Sequence, residues 1–94
     1  MLVTQPVSYK QLSANGVVKA NAGAVYGIIV TASTSGIIKI FDNPSAASGT
    51  EIYSSVTAVT AGQVITFGGI GIAAKTGIFF QLVSGTATVN ILFV

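Results

Sequence analysis

The stretch Ile37-Ile38-Lys39-Ile40-Phe41 followed by Asp42-Asn43-Pro44-Ser45 does most to limit what this chain can become. β-Branched and aromatic residues in close succession suit a pleated, half-buried surface, so the run predicts a strand. Pro44 has no N–H to give to a ladder, and Asp, Asn and Ser side chains bond nearby backbone, so the strand must stop and turn. After Ala46-Ala47-Ser48-Gly49, the run from Thr50 to Tyr53 opens another strand. Ile38 and Ile40 would share one face, and Ile37, Lys39 and Phe41 the other. Both faces are then partly apolar, which predicts cover on the outer side as well.

The same punctuation recurs along the chain. Residues 1–15 lack clear periodicity and are broken by Pro6, which predicts an extended arm with a short strand near Val7 to Leu12. Asn15-Gly16 is a strong turn signal. Val17 to Ala20 and Ala24 to Ala32 read as strands, with Tyr26, Ile28 and Val30 on one face; Ser33-Thr34-Ser35-Gly36 reads as the turn between the second of these and the Ile37 strand. Glu51 to Val59, Val64 to Phe67, a strand bearing Ile78, Phe80 and Leu82, and a last one bearing Val89, Ile91 and Phe93 complete the set, with Ser84-Gly85-Thr86 as the final turn. Short strands at this spacing with glycine-rich turns and no helical period define an all-β sandwich or barrel. The expected organisation is an arm, 1–15, and one β-domain, 16–94.

Composition removes most chemistry. The 94 residues contain no His and no Cys, so nucleophile–His pairs, common zinc sites and disulfides are excluded. Asp42 and Glu51 are the only carboxylate side chains and bound one loop. With Asn43 and Ser45 they could line an oxygen-ligand calcium loop, but such sites gather several carboxylates and about 6–8 oxygens, so a turn that satisfies itself is the preferred reading. Gly69-Ile70-Gly71-Ile72-Ala73-Ala74 matches a dinucleotide fingerprint. It lacks the acidic residue expected about 20 positions later, and its glycines suit a bulge or sharp bend. No catalytic residue, metal or cofactor is therefore expected.

Only 6% of residues are charged against 51% hydrophobic, and the net charge is +2. Four scattered lysines with no arginine do not make a phosphate-tracking surface, so nucleic acid is not an expected partner. No charge occurs from Ile52 to Ala74 or from Thr76 to Val94, yet Ser, Thr, Gln and Gly interrupt both windows, which argues against a spanning helix. A membrane barrel would want aromatic girdles that 9% aromatics without Trp supply poorly. The beginning lacks the basic and apolar regions of a secretory signal. A soluble protein is expected, and so little charge predicts that its surface is covered by a partner or by copies of itself. Tyr9, Tyr26 and Tyr53 are candidates for stacking on a sugar, although the phase of Tyr26 favours the core.

From Gly16 onward the chain resembles small virion proteins of tailed bacteriophages, in particular the head-decoration or capsid-cement proteins. Gly16 to Ala20, Gly23 to Val30, Ile40 to Thr50 and Val89 to Phe93 carry the resemblance, and Phe41-Asp42-Asn43-Pro44-Ser45-Ala46-Ala47-Ser48-Gly49-Thr50 is its most distinctive block. The likeness implies a jelly-roll-type sandwich, commonly a homotrimer, made in the host cytoplasm, that sits on the capsid exterior and clamps the major capsid protein. It brings no catalytic motif. The expected partner contacts are the arm and the 42–50 loop, through Val7, Tyr9, Leu12, Asp42, Asn43, Ser45 and Glu51. Removal of Met1 to Leu12 is expected to abolish capsid binding and leave the sandwich folded. The alternative is a receptor- or glycan-binding module of a fibre or baseplate.

Overall fold

The computed structural model describes residues 7–94. The first part of the arm, residues 1–6, lies outside them. The described residues are all-β and form a single antiparallel sheet: β1 (Ser8–Leu12), β2 (Gly16–Lys19), β3 (Gly23–Asp42), β4 (Thr50–Ser54), β5 (Val64–Thr66), β6 (Ile72–Ala74) and β7 (Ile78–Phe93). Two long strands, β3 and β7, pair along almost their whole length, from Val25 opposite Phe93 to Phe41 opposite Phe79. The remaining strands flank them.

Length forces a bend on this pair. β3 has 20 residues, and a straight strand at about 3.3 Å per residue would be about 66 Å long, whereas the longest dimension of the molecule is 41 Å. The register shifts at Val30/Ala32, Thr34/Ser35 and Ile37/Ile38 take up the curvature. Ser35 and Gly85 face each other across the bend with φ of 55° and 69°. A Cβ on Gly85 would lie 2.7 Å from Thr34 O and overlap the Ser35 carbonyl, and one on Gly36 would lie 2.7 Å from Ala87 Cβ, so glycine is what lets the strands cross here.

The expected turns at residues 33–36 and 84–86 are thus corrected. They are runs of small residues inside continuous strands, opposite one another as Thr34–Thr86 and Ile37–Ser84. Ser and Gly runs signal an interruption of regular strand, and pairing with an equally irregular neighbour makes it a bend rather than a reversal.

The bend divides the sheet into two halves. In the β1 half the order is β1, the end of β7, the beginning of β3, then β5 and β6. In the β2 half it is β2, the beginning of β7, the end of β3, then β4. Short links bring their far ends together. β2 ends at Lys19 opposite Ile78, yet β3 starts at Gly23, whose neighbour Ala24 exchanges hydrogen bonds with Val94 at 3.0 Å. Such a link reaches no more than about 15 Å, so the sheet doubles back over its own inner face. Ile28, Val30, Ile38, Ile40, Ile78, Phe80, Val89 and Ile91 from both halves form one core there, and among the described residues no polar or charged one is buried.

Alternation places Ile78, Phe80 and Leu82 inward as expected, together with Val89 and Ile91. Tyr26 departs from expectation. The shift between Val25 and Gly27 turns Val25 and Ile28 inward and leaves Tyr26 half-exposed. The strand expected to run to Val59 stops at Ser54, because Val56 adopts φ 51°. From there the chain follows β3 by single contacts, Ser55 N–H to Ile38 O at 2.9 Å, Val59 N–H to Gly36 O at 2.8 Å and Gly62 N–H to Val30 O at 2.7 Å. The Gly69–Ala74 fingerprint is followed by no helix; Ile72–Ala74 is strand β6, paired with Gly23–Val25.

Candidate functional site: an uncharged sheet face

The outer face of the β1 half is built from alternate residues of its strands. Leu12 is buried in the core, so Tyr9 and Gln11 point the other way along β1. The same alternation turns Asn90 and Leu92 outward on β7, Gly27 and Ile29 on β3, and Val64 and Thr66 on β5. Register sets these in two rows, Tyr9–Leu92–Gly27–Thr66 and Gln11–Asn90–Ile29–Val64. A Cβ on Gly27 would lie 3.7 Å from Leu92 Cδ1, which places the leucine over the glycine on this face.

No charged side chain belongs to these rows. Lys10 points to the inner side, and its Nζ donates to Val17 O at 2.6 Å. Tyr9 and Val64 are 67% and 60% exposed, with Ile29 and Leu92 half-buried between them. Asn90 Oδ1 is shielded from water without a hydrogen-bond donor. On the β2 half, by contrast, Phe41 and Phe79 are already buried and the Lys39–Glu51 ion pair, 2.9 Å, stands on the surface. The two outer faces therefore differ in kind.

Where the bend meets the β1 half there is a half-open cavity of about 260 Å³, lined by Ser13, Ala32, Ser33, Thr34, Thr86, Ala87 and Thr88. Ser33 is committed: its Oγ donates to Val59 O at 2.7 Å and accepts from Gly36 N–H at 3.2 Å. The lining offers neutral hydroxyls and methyls, with no acid, base or nucleophile-activating group. Among the described residues no three acidic, His or Cys side chains cluster as a metal site.

The residues singled out from sequence are scattered over this framework. Val7 is half-buried at the start of the described chain, Tyr9 lies on the uncharged face, and Leu12 is a core residue whose side chain no partner can reach. Asp42 acts as a clasp. Its Oδ2 accepts from Lys75 N–H at 2.9 Å, and Oδ1 from Thr76 N–H at 2.9 Å and Thr76 Oγ1 at 3.0 Å. These bonds, led by the Lys75 and Thr76 amides, stabilise the carboxylate and hold its pKa below the usual value.

Asn43 does the same work within the loop. Its Oδ1 accepts from Ser45 and Ala46 N–H, each at 2.9 Å, while Nδ2 donates to Ser48 O at 3.2 Å. The Asp42–Thr50 segment is thus a self-satisfied turn whose tip, including Ser45, is exposed. Glu51 reaches Lys39 instead of the loop. Among the tyrosines weighed for sugar stacking, Tyr53 is half-buried against Phe67 with ring centroids 5.6 Å apart, and that burial pushes its hydroxyl pKa up.

Sequence reasoning reached Tyr9 but missed Ile29, Val64 and Leu92. Each occupies an ordinary outward position of an alternating strand, and only the register shows that they adjoin. No family model, curated protein or solved structure matches the chain.

Proposed function

We propose that this chain is a structural virion protein of a tailed bacteriophage, a decoration or cement subunit that binds the outer surface of the major capsid protein shell. In this reading the sheet is a jelly-roll sandwich. The strand orders in the two halves, with β3 and β7 each passing from one half to the other, are those of a jelly roll and support it. The protein works as a homotrimer without enzymatic activity, cofactor, nucleic acid or membrane.

The observation that carries the reading is the state of the Asp42–Thr50 block, the most distinctive part of the resemblance. Its carboxylate and amide are spent on holding the loop and on tying it to the β6–β7 link, which leaves a rigid, neutral, exposed tip. A preformed loop loses little conformational freedom on docking. It suits a shape-matched protein contact better than it suits chemistry.

Co-sedimentation with shells of the major capsid protein from the same virion tests the proposal. Wild-type protein is expected to pellet with the shells, and Ser45→Arg with Ser48→Arg to lose most of that occupancy while melting normally. Absence of wild-type protein from the pelleted shells refutes the reading. The glycan-binding alternative draws on Tyr9, whose ring is mostly exposed. It would be favoured by glycan-array binding that Tyr9→Ala removes.

A further inference from the structure

We infer that the uncharged outer face of the β1 half is covered in solution by a second copy of this chain. Four observations lead there. First, the face is blank in charge, whereas Lys39, Glu51, Asp42 and Lys75 belong to the β2 half or to the β6–β7 link. A charged partner surface would give up hydration here and find no counter-charge, whereas another copy of the same face matches it. Second, the apolar groups have unpartnered area: Tyr9 on the β1 strand and Val64 on β5 are mostly exposed, at opposite sides of the sheet, with Ile29 and Leu92 filling the span.

Third, both edges of this half resist association by strand addition. Charges and bulges on edge strands block such pairing. Lys10 sits at the centre of β1, so antiparallel pairing of two β1 strands about that point would set lysine against lysine. On the other edge, the segment between β5 and β6 leaves the ladder, with Gly68 and Gly71 at φ of 81° and 78° and Ile70 86% exposed at its tip. The face, not an edge, remains available. Fourth, the molecule measures 41 × 27 × 18 Å, and a broad side of those dimensions has room for the roughly 800 Å² per partner that a stable complex buries.

In the contact, Tyr9 of one copy lies against Val64 of the other. Gln11 brings an exposed amide donor and acceptor, so copies of one face can satisfy each other's polar groups. Reciprocal contacts close a dimer; repetition about a rotation axis closes a ring. The inference stands without the virion reading, because it concerns the pure protein.

Light scattering coupled to gel filtration at about 100 µM protein tests it. Wild-type protein is expected to run as a closed oligomer. Tyr9→Lys and Val64→Lys, each separately, are expected to weaken association at least about thirtyfold, as loss of a contact that dominates an interface does. Val56→Lys, at an exposed site between β4 and β5, is expected to leave the mass unchanged.

The chain has no cysteine, so Tyr9→Cys mixed with Val64→Cys provides a second readout that does not depend on the lysine variants folding. A bismaleimide is expected to join the two into a covalent dimer. A monomeric wild type overturns the inference, as does an oligomer that persists unchanged in both lysine variants or an absence of cross-linked product. Failure here leaves shell binding to be judged by its own assay.

Discussion

Gly85→Ala is the sharpest test of the bend. The glycine has φ 69°, and an added Cβ would sit 2.5 Å from Ser35 C and 2.7 Å from Thr34 O, both backbone atoms of the paired strand. Placing an L side chain in the left-handed region costs roughly 1–2 kcal/mol. Forcing the two backbones apart adds about 1–3 kcal/mol, the usual range for overpacking.

The sum is about 2–5 kcal/mol, a large part of the ~5–15 kcal/mol that holds a domain together. For a domain of this size each kcal/mol lowers Tm by about 4–8 °C, so a fall of about 8–40 °C is expected in a thermal melt. Gly62→Ala is the control, since Gly62 has φ 87° with nothing within 4 Å of the added carbon. It carries only the conformational cost, roughly 1–2 kcal/mol. Equal losses in the two variants, within about 0.5 kcal/mol, would refute the close crossing of β3 and β7 as the source of the constraint.

Other outcomes follow from individual side chains. Asp42→Asn should loosen the β6–β7 link. Because the folded pKa of Asp42 is depressed, its contribution is full above the unfolded value near pH 4 and disappears as pH falls through the folded one. Wild-type Tm should therefore drop more steeply than that of the variant below about pH 4, and parallel curves would contradict the clasp. Glu51→Gln should cost less than about 1 kcal/mol in urea unfolding and less still in high salt, because the Lys39 pair is exposed; a loss above 2 kcal/mol would show a structural role that this geometry does not contain. Asn90→Val should stabilise the fold by about 1 kcal/mol, since it removes a shielded, unpartnered oxygen and adds a β-branched residue to a strand. A lower midpoint would reveal a partner for that amide.

The truncation of Met1 to Leu12 changes meaning with the structure in view. β1 pairs with the end of β7 from Ser8–Phe93 to Leu12–Val89, and Leu12 belongs to the core. Removing it would strip a strand as well as a contact. A deletion that stops at Pro6 leaves β1 intact and isolates the role of the terminal residues in shell binding.

The strand character of nearly every segment could be read directly from the chain, since β-branched residues in alternation and Gly, Asn and Ser punctuation are local signals. So could the inward sets on β7, the self-satisfied turn after Phe41, and the absence of His and Cys. The union of two expected strands into β3 could not be read. A Ser-Thr-Ser-Gly run looks the same whether the chain reverses there or merely bends, and what decides is the pairing of residues 33–37 with residues 84–87, some fifty positions away. Tyr26 was misplaced for a related reason: one bulge between Val25 and Gly27 inverts the alternation on one side of it.

The candidate face shows the same division. Tyr9 could be noticed alone as an aromatic residue in an unpatterned segment, but Ile29, Val64 and Leu92 lie far apart in the sequence and have nothing local in common. Short-range sterics and side-chain chemistry determine what each stretch of this protein is. Long-range register determines which stretches share a surface, because hydrogen bonding between strands depends on how the whole sheet folds and not on any one segment.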